Sequence, residues 1–389
     1  MWDCNNKSQN FLHAGAGGGH MEKNKVTSTQ IARKLGISRS TVSRALSGYP
    51  HVDEQVRQRV LDLANELNYR PNQAARSLAR GESLLVGVVL YSKPEREGEF
   101  SEYVDELIQG VKQGEQRLRD YGLTVETVVT DISHPEQQVE AVENLVKKGA
   151  RAIAIAPCVP EVMAPTIDRL MSEGIQVVLL NTDVPQSGRL CYIGSDYLQA
   201  GRISAELIGS RLRGHGRVAA IAFSDSGTMI PQKLTGFREE LAHYPDIEIL
   251  GPYKFSRVGE HVYEDTMAML ASERPDAVYM TYGQLEDVAR AVEDSGMAGR
   301  VVLVGFDTSV GILSQLRRRT ISAVIAQEPR QQGMLCVQIL YDYLAQGIKP
   351  RSSVVHARLE IVTSQNSVYY REESLNVFTY NYWPGQTGR

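Results

Sequence analysis

Four cysteines in 389 residues leave little with which to build a disulfide framework. Cys4, Cys158, Cys191 and Cys336 lie far apart, with no CxxC pair and no histidine at metal-ligand spacing. That excludes a disulfide scaffold and a zinc finger, and it fits a chain kept in a reducing cytoplasm. No apolar run approaches the ~18 residues that cross a bilayer, so no membrane partner is expected. Also missing are a GxSxG elbow, a Walker loop, a dinucleotide fingerprint and a metal-spaced histidine set. An enzyme on a doubly wound fold is therefore the weakest functional reading: no catalytic residue, no metal ligand and no cofactor is assigned.

What is present is an uneven charge distribution. The net charge of −4 hides a basic head on an acidic body. Residues 22–82 hold eleven Lys/Arg against six acids, whereas 83–389 carry 30 bases against 39 acids. A polyanion-binding module fused to something else gives this asymmetry, and so does an ordinary solvated surface. At ~150 residues per domain, the length calls for two or three domains.

Residues 1–24 are expected to form a disordered leader. The start is polar, without the charged and apolar stretches of a signal peptide. It ends in Gly17-Gly18-Gly19-His20 before Met21. Glycine codons begin GG, so a glycine triplet ahead of a methionine matches a translated ribosome-binding site, and Met21 is read as the natural start. A flexible leader or an expression scar is the alternative; the intact mass from the native host distinguishes them.

From Val26 the text reads VTSTQIARKLGISRSTVSRALSG. Thr27 and Gln30 have capping-box spacing. Ile31, Ala32 and Leu35 then share one helical face. Gly36 supplies the positive φ of a tight turn. Ser38 can cap a second helix, Arg39 to Leu46, whose Val42 and Ala45 face inward. Arg39, Ser40, Thr41, Ser43 and Arg44 remain outside, an edge better suited to a major groove than to the solvent side of a helical bundle. A third helix follows Asp53 and runs to about Asn68, with Val56, Val60, Leu61, Ala64 and Leu67 as its buried stripe. Pro71 ends that helix, and Asn72 can cap a two-turn helix that Gly81 terminates. Alone in water so short a helix is marginal.

The ordered occurrence of the helix-turn-helix, Tyr69-Arg70-Pro71-Asn72 and Ala75-Arg76-Ser77-Leu78 resembles the DNA-binding head and hinge of the LacI/GalR family of bacterial transcription regulators. The resemblance continues to about residue 366. It implies an all-α helix-turn-helix head at 25–70, a hinge helix at 71–82, and an α/β two-lobed periplasmic-binding-protein-like core at 83–366. Lobe one is placed at 84–194 plus 328–355, lobe two at 195–327 plus 356–366, and an unassigned aromatic tail at 367–389. Arg39, Ser40 and Arg44 then take base-reading positions, Thr41 and Ser43 phosphate positions, and Asn72, Ala75 and Leu78 the hinge contacts. Leu78 is the wedge for the minor groove at the operator centre, with packing against the core as its alternative.

In the body, apolar segments at 84–91, 123–130, 151–157, 177–183, 217–223, 277–282 and 301–307 alternate with amphipathic helices, the pattern of parallel α/β domains. Ligands of such sheets sit beyond the strand C-termini, which selects Tyr91, Ser92, Asn181 to Asp183, Tyr282 and Asp307. The resemblance to ribose-type sugar-binding proteins adds Tyr103, Phe255 and Gln327. Ala156, Pro231 and Tyr282 fall where those proteins use Asn, Arg and Asn, which argues against ribose itself. Asp183 and Arg257 are the substitutes considered.

The expected function is a cytoplasmic, ligand-responsive repressor of carbohydrate-utilisation genes. A homodimer would bind double-stranded, pseudo-palindromic operator DNA and be switched by a sugar-like effector. A single short reading helix per head implies a twofold pair. Induction is the expected sign, with corepression as the alternative. A periplasmic-type solute-binding receptor would explain the body but not the head.

Overall fold

The computed structural model describes residues 27–46, 52–67, 69, 84–92, 101–223, 229–255 and 261–370. The leader, the hinge positions Asn72, Ala75 and Leu78, Arg257 and the tail beyond 370 lie outside the described residues. Two compact units separate between Pro71 and Asn72.

The first unit is a three-helix head: α1 (Ser28–Leu35), α2 (Arg39–Leu46) and α3 (Glu54–Glu66). Thr27 and Gln30 form a reciprocal capping box, and Gly36 closes α1 at φ 68°. Ser38 caps α2, its Oγ accepting from the Thr41 N–H at 3.0 Å. Asp53 caps α3 through the Val56 N–H at 3.1 Å. Ile31, Ala32, Val42, Ala45, Val60 and Ala64 make the buried centre. Around it pack Leu35, Ile37, Val56, Leu63 and Leu67. Leu63 takes the place that the stripe assigned to Leu61. Positions 56, 60, 63, 64 and 67 follow 3.6 residues per turn, whereas 61 rotates away from that face.

The second unit holds two six-stranded sheets. The first joins β1 (Leu84–Ser92), β2 (Leu123–Asp131), β3 (Ala152–Ile155), β4 (Gln176–Leu180), β5 (Cys191–Gly194) and β11 (Val354–His356), in the order β11-β5-β4-β3-β1-β2. The second joins β6 (His215–Phe223), β7 (Asp246–Phe255), β8 (Ala277–Met280), β9 (Val302–Phe306), β10 (Ala323–Ala326) and β12 (Glu360–Val362), in the order β12-β10-β9-β8-β6-β7. Every pairing is parallel except β10 with β12. The chain passes between the sheets after Gly194, after Ala326 and after His356. Residues 191–194, 246–255, 323–326, 354–356 and 360–362 are strands that the apolar pattern had not picked out. Four of these five segments are only three or four residues long, too short to show a period.

Helices cover the sheets. In the first lobe these are α4 (Glu102–Leu118), α5 (Glu136–Lys147), α6 (Pro160–Ser172) and α12 (Pro329–Gln346). In the second they are α7 (Tyr197–Arg211), α8 (Met229–Leu241), α9 (Val262–Glu273), α10 (Leu285–Asp294) and α11 (Val310–Arg318). One helix pair in each lobe approaches backbone to backbone. A Cβ on Gly110 of α4 would meet the Arg330 carbonyl, and one on Gly333 of α12 would meet that of Leu107. Gly201 of α7 and Gly236 of α8 face the Lys233 and Leu198 carbonyls in the same reciprocal way. A short 3-10 turn (Asn366–Tyr370) ends the described chain, with Tyr370 packed on the second core.

Candidate functional site

Two surfaces bring the candidate residues together. On the head, Arg39, Ser40, Ser43 and Arg44 are exposed along α2 and Thr41 is half-buried. The Ser38 hydroxyl lies 2.7 Å from that of Ser40 and 2.8 Å from that of Thr41, so three hydroxyls cluster at the start of the helix. Arg33 and Lys34 add exposed positive charge at the end of α1. Positive side chains and helix-terminal hydroxyls are the groups that reach phosphates and base edges.

In the second unit the cleft lies where strand C-termini of both sheets meet the crossings. Asp307 follows β9 at φ 73° and Asn181 follows β4 at φ 59°, left-handed conformations that a non-glycine residue seldom adopts. Strained backbone of this kind gathers at ligand sites. Gln327 donates to Asp307 Oδ1 at 2.7 Å, and its own Oε1 accepts from the Ser195 hydroxyl at 3.1 Å. Asn181 Oδ1 accepts from Tyr197 at 2.7 Å and from Tyr103 at 3.2 Å. Burial raises the Tyr103 and Tyr197 hydroxyls well above the ordinary phenol range, which keeps them protonated as donors. Asp307 adds to the shift of Tyr103, so these two groups sense each other across the cleft.

Under Asp307 lies a cation that the sequence reading missed. Lys233 is 1% exposed, donates to the Thr281 carbonyl at 2.9 Å, and sits 3.4 Å from the centre of the Phe306 ring. Burial pushes its ammonium down to about 7, with Asp307 pulling the other way. Burial likewise raises the Asp307 carboxyl, opposed by Lys233 and then by the Gln327 hydrogen bond. Lys233 lies two residues on from Pro231, in the same helix. The signal was available: Ile230, Lys233, Leu234, Phe237 and Leu241 share the buried stripe of α8, so Lys233 is a charge in register with apolar residues.

The other candidates are placed less centrally. Phe255 ends β7 with its ring in the second core. Tyr282 lies edge-on to Phe223, with centroids 5.8 Å apart. Asp183 pairs with Arg189, which donates from Nη2 to Oδ2 at 2.7 Å. The Ala156 carbonyl accepts from Gln138 at 2.8 Å. Across the mouth, Glu102 of α4 accepts from the Val310 N–H at the start of α11 at 2.9 Å, linking the two lobes. Among the described residues no cluster of metal-ligating side chains occurs, and no helix is long and apolar enough to cross a membrane.

Both surfaces lie in segments that match known families. Residues 99–349 match the periplasmic binding protein domain, and residues 29–72 match the lacI family of bacterial regulatory proteins. The chain belongs to the periplasmic binding protein family, and its head carries a segment, residues 29–72, that matches the lacI family. The lacI-type head is 51% identical over 61 residues to the HTH-type transcriptional regulator AglR of Rhizobium meliloti (strain 1021), a match covering 16% of this chain and only 17% of AglR. The catabolite control protein A of Priestia megaterium is 24% identical over 333 residues, covering 82% of this chain and 92% of that protein. In fold, the periplasmic binding protein domain is similar to an ABC transporter solute-binding protein from Burkholderia graminis C4D1M, solved in complex with D-arabinose. That comparison has a TM-score of 0.66 and 23% identity, and covers 75% of this chain and 99% of the other. The cluster on α2 lies within the lacI match, and Asp307 and Gln327 lie within the periplasmic binding protein match.

Proposed function

We propose that this protein is a ligand-responsive transcriptional regulator, a repressor of carbohydrate-utilisation genes that binds a pseudo-palindromic operator as a cytoplasmic homodimer. The observation that carries the reading is the coexistence in one chain of the exposed Arg39–Arg44 edge and the cleft built on Asp307, Gln327 and Asn181. A solute-binding receptor would use the cleft and leave the head without a purpose. The cleft takes a small sugar-like effector, its hydroxyls facing Asp307 and the tyrosines. Closure of the lobes alters the hinge segments that carry Asn72, Ala75 and Leu78, and through them the affinity for DNA. By linkage, DNA and effector then change each other's affinity by the same factor, typically about 1–3 kcal/mol. No chemical step is required of any residue.

Two substitutions separate the surfaces. Asp307→Ala abolishes the response to effector while DNA binding stays intact; thermal shifts with a sugar panel and anisotropy with operator DNA read the two effects, and a normal response would place the pocket elsewhere. On the head, Arg39→Ala relaxes base preference at one operator position and costs about 1–3 kcal/mol there. Thr41→Ala, on a phosphate contact, weakens all sequences alike. Competition among single-base variants of a site selected from a random library distinguishes these outcomes.

A further inference from the structure

The two lobes carry separate cores, and away from the crossings Glu102 and Val310 join them across 208 residues of sequence. Glu102 is the first residue of α4 in lobe one, and Val310 the first of α11 in lobe two. The Val310 N–H donates to the Glu102 carboxylate, at 2.9 Å from Oε2 and 3.3 Å from Oε1.

The first N–H groups of a helix have no acceptor within it and carry partial positive charge, so a carboxylate suits that end. In α11 the Ser309 hydroxyl accepts from the Ile312 N–H at 3.1 Å. The Val310 N–H, among the described residues, has its acceptor on the other lobe. Helix α4 does not depend on Glu102 to begin, because the Ser101 hydroxyl caps it by accepting from the Val104 N–H at 3.4 Å. Neither lobe therefore needs this contact for its own fold. It forms when the lobes come together and is exchanged for water when they part.

A second carboxylate reaches the same helix end from within lobe two. Glu286, in the first turn of α10, accepts from the Ser309 hydroxyl, and a Cβ on Gly311 would meet its carboxylate oxygens. Burial raises the Glu102 carboxyl above the ordinary range and the Val310 hydrogen bond lowers it, while the like charge of Glu286 adds to the rise. One helix terminus is thus shared by two anions, one from each lobe.

We propose that the contact between Glu102 and the start of α11 is a latch that holds the two lobes closed, with Glu286 as the opposing charge that keeps it releasable. This rests on the closing of the lobes in the reading above, and not on the identity of the effector. A contact made only in the closed form multiplies the closed-to-open ratio by its own factor, and it strengthens effector binding by the same factor when the open form predominates.

The test measures the mouth by single-molecule energy transfer between dyes on Glu161→Cys and Glu264→Cys in the full chain. Both positions are exposed, near the starts of α6 and α9 on opposite lobes, and each helix follows a strand C-terminus at the cleft. Cys158, Cys191 and Cys336 are buried, and Cys4→Ser removes the remaining thiol. Without ligand, Glu102→Ala lowers the closed-to-open ratio roughly 3–10-fold relative to this parent. Glu286→Gln keeps an acceptor for Ser309 but loses the charge, and it raises the ratio about 2-fold. Opposite shifts from two carboxylates at one helix end are not produced by a general loosening of the fold. An unchanged ratio in Glu102→Ala overturns the proposal, as does a lowered ratio in Glu286→Gln, which would make Glu286 part of the hold. Adding D-ribose, D-allose or D-arabinose to the parent tests the effector separately. If none of them shifts the distances, the sugar reading of the cleft fails, and the ligand-free ratios still decide the latch.

Discussion

Lys233→Met is expected to destabilise the effector domain by about 1–3 kcal/mol, because it removes the hydrogen bond to the buried Thr281 carbonyl and the cation that offsets the Asp307 carboxylate. Asp307 lies beneath no alternative cation among its described partners, and its carboxyl is already raised by burial. Without the ammonium it takes up a proton instead. The sign follows directly. A carboxyl whose folded pKa rises above its unfolded value contributes stability at low pH and loses it as pH climbs through the folded value, so the variant is most stable in acid. Adding Asp307→Asn removes the stranded charge and recovers part of the loss, leaving a double variant with little pH dependence from this site. In the wild type the lysine acts in the opposite sense. The folded side chain releases its proton near 7, whereas an unfolded lysine holds it to about 10.5. Between those values the unfolded state binds more protons, so this group's contribution to stability grows with rising pH. Denaturant unfolding of wild type, Lys233→Met and the double variant from acid pH up through that window measures all three effects. Equal stability of Lys233→Met and wild type would show that the two charges are not coupled.

Gly110→Ala is expected to cost about 2–3 kcal/mol, although alanine is the better helix former by about 1 kcal/mol. The added methyl group would sit against the Arg330 carbonyl, and a backbone atom cannot turn aside as a side-chain end can. Helices α4 and α12 must therefore separate, opening the contact that Gly333 makes with Leu107 from the other side. Gly283→Ala provides the control: nothing lies within 4 Å of its added Cβ and its φ is not positive. That substitution should change stability by less than about 0.5 kcal/mol. Similar denaturation midpoints for the two variants would mean that α4 and α12 can move apart freely.

The local chemistry of the head could be read residue by residue. Thr27 with Gln30, Gly36, Ser38 and Asp53 form caps and a turn within four residues of chain, and the structure realises each where the text placed it. Patterns that need a partner were harder to resolve. Leu61 and Leu63 are equally apolar, and only the packing of three helices chose Leu63. The candidates Asp307 and Gln327 stood 20 residues apart with no visible relation; the fold brings them within 2.7 Å through neighbouring strands β9 and β10.

The sequence by itself determined the division into a basic head and an α/β body, the helix-turn-helix, and the strand ends at which a ligand would sit. These follow from charge, capping and periodicity, which are properties of short stretches. Only the tertiary structure decided that Lys233 is buried against Thr281 and Phe306, that Gln332 is buried against the Gln327 carbonyl, and that Asp183 pairs with Arg189. A lysine or glutamine in an amphipathic helix is ordinarily a solvent-facing group. Both lie in register with an apolar stripe, Lys233 with Ile230 and Phe237, and Gln332 with Cys336 and Leu340. Whether such a residue is a tolerated polar group or a functional one depends on what waits at the far end of its side chain. For Lys233 that is Thr281, Phe306 and Asp307, brought together by the ends of two neighbouring strands, β8 and β9.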